Sequence, residues 1–361
     1  SRPARQRLKR QCVRPIGGHA AFSVAREPNK GGLQRKGRPL AGALLMSSNT
    51  TGWVRPKIEQ NWLTRLLDWK PFLIIICLLP AMGLLAVFLT YPLGLGIWLA
   101  FTDTTIGRSG RWVGLENFEF MMEDPIFWNA VFFSVFYTGI ATIGKFALGL
   151  WLALLLNNHL PFKSLLRAII LLPWIVPTVL TAVAFWWIYN PQFSVISWML
   201  IELGLRDTNV DFINTAWPAR WSLIAANIWR GIPFVAISLL AGLQTISPSL
   251  YEAALLDGST AWQRFRYITF PMLLPILAIV MTFSIIFTFT DFQLVYAITR
   301  GGPVNSTHLL ATLAFQRGIP AGQLGEGAAI AVSMIPFLVF ATLFSYFALA
   351  RRKWQQGESN D

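Results

Sequence analysis

"SPSLYEAALLDGSTAWQRFRYITFPMLLP", Ser247 to Pro275, lies between two long apolar runs yet has the grammar of two short helices. Ser247 suits an N-cap, and Pro248 a first helical position, where its missing N–H costs nothing. The helix they start is expected to run to about Asp257. Gly258 then supplies the stop, because a positive φ is cheap only for glycine. Thr260 and Gln263 have capping-box spacing for a second helix, which Pro271 is expected to end. The first helix carries Leu250, Tyr251, Leu255 and Leu256 beside the small Ala253 and Ala254. That face either folds back on its own chain or meets a partner.

The runs on either side set the class. Of 361 residues, 54% are hydrophobic and 13% charged, too few charges for a soluble domain of this length. Continuous apolar stretches, not alternating ones, imply an all-α polytopic membrane protein. Six spans are expected: Pro71–Leu99, Trp128–Leu156, Ala168–Tyr189, Trp221–Leu243, Met272–Ala297 and Ala328–Ala350. Prolines punctuate them, among them Pro173 and Pro177 in the third and Pro275 in the fifth.

The net charge of +13 is a property of one end. Residues 1–70 hold 15 Lys and Arg against 3 acids, which leaves 15 against 14 for the rest. The basicity therefore does not argue for nucleic acid, and a disordered tail on the cytoplasmic side is expected. Because "MSSNTTGW" from Met46 reads as an ordinary start, residues 1–45 are either a genuine tail or sequence upstream of the native one. Basic residues favour the segments that share a side with the termini, 11 to 6, so both termini and the Ser247–Pro275 passage are expected in the cytoplasm. The short tail 351–361 follows on that side. Three scattered His and two Cys supply no metal site.

The passage resembles the cytoplasmic loop of the permease subunits of binding-protein-dependent ABC importers. The matching positions are Glu252, Ala253, Ala254, Gly258, Ile268, Pro271 and Pro275. Asp257 and Phe265 are similar to the carbohydrate-uptake branch, as are "YPLGLGIWLAFTD" and "ITRGGPVNSTHLLATLAFQRG". The likeness extends over residues 69–353 and is to the maltose-type larger permease, in its shorter six-span form. It implies a type I importer fold, with residues 71–350 as the transmembrane domain and 246–271 as a loop that docks on an ATPase subunit. It also implies a second related permease, two ATPase subunits that use ATP, and an external solute-binding protein. This chain itself would bind no cofactor and be no enzyme, and it has no Gly-rich phosphate loop. Glu252 is placed to accept hydrogen bonds from a basic partner residue, or simply to favour its helix N-terminus.

Polar residues inside the spans mark the expected solute site. Ser284, Thr288 and Asp291 share one helical face, as do Asn227, Arg230 and Phe234; Trp174 and Thr178 stand four apart beside the prolines. Together they offer hydroxyl partners and aromatic faces, which sugars need. The resemblance implies the same positions. Arg230 and Asp291 lie at depths of about 14 and 9 Å from the outer ends of their spans, so they can form either a clamp on the solute or a structural pair. Asp291 offsetting Arg230 favours a neutral sugar or polyol; the alternative is a glycerol phosphate or another anion. Lys145 is expected to snorkel to the cytoplasmic interface, and Trp186 and Trp187 to form an interfacial belt. An ion-coupled transporter would want an inverted repeat, and an intramembrane enzyme a catalytic cluster; neither pattern is present in the sequence.

Overall fold

The computed structural model describes residues 70–158 and 161–355, so the expectations for the basic tail and for residues 356–361 lie outside the described residues. Among the described residues there are helices and two isolated β-bridges, with no strand.

Helix α1 runs from Lys70 to Ala100 with a π-turn at Ala86–Thr90. Its side chains are exposed along nearly the whole length, and its Tyr91–Ala100 end packs on the last helix. A short helix α2 (Glu116–Glu123) precedes α3 (Pro125–Asn157), which Asp124 caps by accepting the Ile126 N–H. Next come α4 (Lys163–Ile175), α5 (Thr178–Tyr189), α6 (Val195–Glu202) and α7 (Ala216–Leu243). The loop helix α8 (Pro248–Leu256) leads to α9 (Ala261–Phe289). The chain continues through α10 (Phe292–Ile298), α11 (Leu310–Gly318) and α12 (Leu324–Gln355).

Three of the expected elements are corrected. The third span is not one rod: α4 and α5 meet at 88°. Pro177 drives Val176 into an extended conformation (ψ 131°), so the helix stops there and restarts in a new direction. The fifth span ends at Phe289 rather than Ala297, because the Asp291 carboxylate takes the Leu294 N–H and starts α10. Pro271 does not end a helix. The Phe270 N–H bonds five residues back to the Phe265 carbonyl, and this widened turn carries the helix past the proline. The same device, Tyr91 N–H to Ala86 carbonyl, precedes Pro92 in α1. A π-turn just ahead gives the ring room against the preceding turn, where a regular helix would clash.

Among the described residues the bundle has three apolar clusters, a third one joining Phe127, Phe289, Leu313 and Ile330; the other two act as plugs at different heights. One joins Phe133, Tyr137, Ala141, Leu223, Ala226, Leu294 and Val295. The other joins Ala153, Leu156, Val235, Leu239, Leu243, Leu273 and Val280 at the end that carries α8. On α3 the gap between them falls at residues 142–152, on α7 at 227–234, and along α9 and α10 at 281–293. Lys145, Asn227, Arg230, Ser284, Thr288 and Asp291 sit in that gap.

Candidate functional site

A cavity of about 520 Å³ opens between the plugs. Trp174, Thr178, Asn227, Arg230, Phe234, Ser284, Thr288 and Asp291, the eight residues singled out by periodicity and resemblance, all line it. The break between α4 and α5 brings Trp174 and Thr178 to the wall. Trp174 stacks on Phe234 with centroids 5.1 Å apart, a flat aromatic surface beside the polar groups.

The polar groups form a chain of hydrogen bonds across four helices. Asp291 accepts from Tyr137 Oη at 2.9 Å and from Asn227 Nδ2 at 2.8 Å. The Oδ1 of Asn227 accepts from Lys145 Nζ at 2.9 Å, and Lys145 also reaches Thr288 Oγ1 at 2.5 Å. Lys145 is therefore buried in the site, which corrects the snorkelling expectation. Twelve residues, about 18 Å of helix, separate it from the end of α3, further than a four-carbon stem reaches. Its stem crosses α7 at Gly231, where a Cβ would come within 2.3 Å of Lys145 Cδ.

Arg230 and Asp291 face the same cavity but form no direct ion pair among those described. Arg230 instead donates from Nη2 to Thr178 Oγ1 at 2.6 Å and lies 5.5 Å from the Trp174 ring centroid. Trp186 and Trp187 are exposed and take no part in the cavity wall.

A second feature stands at the end of the bundle. In α8, Ser247 occupies the N-cap position, though its hydroxyl meets Ser249 Oγ at 2.8 Å rather than a backbone amide. At the other end Gly258 has φ +77°, the Gly258 N–H bonds to the Leu255 carbonyl, and the Ser259 N–H bonds to that of Ala254. This is a complete Schellman stop. The Thr260–Gln263 capping box is formed. Tyr251 leans inward, its hydroxyl 3.0 Å from Thr269 Oγ1 on the π-turn, while Ile268 packs into the apolar plug. Glu252, Ala253 and Asp257 face outward and Ala254 is half-buried. Leu255 is exposed and Leu256 is 90% exposed. Phe265 stacks on Trp262, and Pro271 and Pro275 lie within α9. The motif thus divides: its first half stands in the open, and its second half is built into a span.

Residues 145–355, more than half of the chain, match the family model described as the binding-protein-dependent transport system inner membrane component. The chain belongs to this family. The permease is similar to the trehalose/maltose transport system permease protein of Thermococcus litoralis (33% identity, 74% of this chain and 89% of that protein). It is likewise similar to the sulfoquinovosyl glycerol transport system permease protein of Agrobacterium fabrum (34% identity, 85% of this chain and 100% of that protein). Among solved structures it resembles a bacterial ABC transporter involved in the import of the acidic polysaccharide alginate, with TM-score 0.68 and 23% identity over 83% of this chain and 100% of that one. That likeness shows the fold, that of a type I ABC importer permease.

Sequence reading of the permease missed Lys145, Tyr137 and Gly231. A signal existed for the first: Ser134, Thr138, Ala141 and Lys145 follow at steps of 4, 3 and 4, a stripe of small, polar and charged residues on one face of α3. Tyr137 carries no signal of its own, and only its partner across the bundle, Asp291, identifies its role.

Proposed function

We propose that this permease is the non-catalytic membrane subunit through which a sugar, polyol or related small solute enters the cell. In this reading an external binding protein delivers the solute, and two separate ATPase subunits hydrolyse the ATP. A second, related permease chain completes the pathway. The cavity opens alternately to the two sides as the ATPases close on α8, and both termini are cytoplasmic. The observation that carries the reading is the cavity itself: an aromatic pair, hydroxyls, an amide and charged groups gathered at mid-height between two apolar plugs. Such groups are costly in a membrane and are kept where a pathway needs them. The names of the relatives support a carbohydrate-like solute. The outward face of α8, with Leu255, Leu256 and Glu252 exposed among the described residues, supports a docked partner.

The test is ATP hydrolysis and uptake by the assembled transporter in liposomes with its binding protein. A cognate solute is expected to stimulate both. Glu252→Ala is expected to lower uptake per ATP, and Asp291→Asn to weaken the response to solute. Uptake that proceeds without ATP and collapses with an ion gradient would refute the proposal.

A further inference from the structure

The donors and acceptors of the cavity do not balance. Asp291 accepts three hydrogen bonds within the chain: Oδ2 holds Tyr137 and Asn227, and Oδ1 accepts the Leu294 N–H at 3.3 Å. These partners are neutral groups, so the carboxylate is stabilised without using up either cation. Asn227 stands between Lys145 and Asp291, accepting from one and donating to the other, and keeps the two charges from closing on each other. Lys145 spends two of its three N–H donors, on Asn227 and Thr288. Arg230 has five N–H donors, and the one described hydrogen-bond partner is Thr178; its Nε is buried without an acceptor. Counting Lys145 and Arg230 against Asp291, the wall carries a net positive charge whether or not Asp291 is ionised.

From this imbalance, and resting on the transport reading above, we infer that the solute carries an acidic group (a carboxylate, phosphate or sulfonate) on a polyhydroxylated body. The free edge of the Arg230 guanidinium takes the oxyanion by paired hydrogen bonds, and the third Lys145 proton adds to it where the pose allows. The stacked Trp174 and Phe234, of which Trp174 also meets the guanidinium, offer aromatic surface to the C–H groups of the body. A neutral sugar would leave the unpaired terminal N–H groups of the Arg230 guanidinium without a charged acceptor, the arrangement that a site selects against. This reverses the neutral preference read from the sequence, where Asp291 was set against Arg230 alone and Lys145 was assigned elsewhere.

The experiment uses the full transporter with its binding protein in liposomes and matched probes: glucose against glucuronate, glycerol against glycerol phosphate, and a neutral glycoside against its sulfonate. The acidic member of at least one pair is expected to stimulate ATP hydrolysis and its neutral counterpart not. Arg230→Gln is expected to raise the half-saturating concentration of that acid roughly 10- to 100-fold, the loss of a charge-assisted pair. Arg230→Lys, which keeps the charge and loses the fork, is expected to fall between; assembly of each variant is checked by size-exclusion chromatography. If neutral members stimulate and acids do not, while cavity variants still alter the response, the acidic assignment falls and the transport reading stands. If no probe of either kind stimulates hydrolysis and solute uptake follows an ion gradient, the transport reading falls and takes the inference with it.

Discussion

Around the cavity, polar side chains sit at mid-height in an apolar bundle; on α8, apolar side chains stand in the open. Both reverse the ordinary distribution of residues, and they are held in different ways. The cavity groups satisfy one another inside this chain, through Tyr137 and Lys145 of α3, Asn227 of α7 and Asp291 at the start of α10. The α8 face has no such internal answer. Its helix is stopped at the C-terminal end by the local motif at Gly258, and Leu255 and Leu256 on its outer side are exposed among the described residues. One region is stable because it is closed, whereas the other is stable as a helix and unfinished as a surface. Substitutions in the first are therefore expected to change stability, and substitutions in the second to change coupling.

The sharpest break in that contrast comes from Asp291→Ala. It removes the acceptor of the Tyr137 hydroxyl, the Asn227 amide and the Leu294 N–H at once. A loss of about 3–5 kcal/mol is expected, read by thermal unfolding of the solubilised transporter. Asp291→Asn, which keeps an acceptor oxygen, should lose less than half of that. Lys145→Met comes next, at about 1–3 kcal/mol, because it strands Asn227 Oδ1 while removing a buried charge. A transporter as stable as wild type after both changes would mean that the chain of hydrogen bonds does not hold the bundle.

His308 tests a buried polar group on a loop outside the spans. Burial, reinforced by nearby Arg317, pushes its pKa down to about 4 against an ordinary 6.5. The folded state thus keeps the ring neutral while the unfolded chain takes up a proton. This contribution is complete above pH 6.5 and is lost as pH falls toward 4, at no more than about 1.4 kcal/mol per pH unit. His308→Gln should flatten the acid limb of a stability–pH curve; an unchanged limb would remove His308 as its source.

On the loop the effects are smaller. Gly258→Ala, at φ +77°, is expected to cost about 1 kcal/mol. Leu256→Ala, on a side chain 90% exposed, is expected to stay within about 0.5 kcal/mol in stability yet to lower uptake per ATP. A large loss of stability with intact coupling would show that α8 leans on its own chain after all.

Legibility follows the same division. The stop at Gly258, the capping box at Thr260 and the start at Pro248 all depend on neighbours within a few residues, so the passage could be read directly. The eight cavity residues could also be picked out, because polar groups recurring at helical spacing in apolar runs have few other places to go. Three things could not be read this way. The direction of α5 after Pro177 depends on what the bent pair packs against. The continuation of α9 past Pro271 depends on a π-turn that no residue type announces. Lys145 was assigned to the interface because its depth was judged from span ends and not from the room that Gly231 leaves for its stem.

The sequence by itself determined the membrane class, the approximate spans, the α8 loop and the family, because hydrophobic run length, caps and motif spacing are local properties. Tertiary structure alone decided which charges meet and which stay apart. Asn227 separates Lys145 from Asp291, and Arg230 turns to Thr178, because a buried ion is stabilised by whichever partner the packing brings within hydrogen-bond reach, wherever in the chain that partner lies.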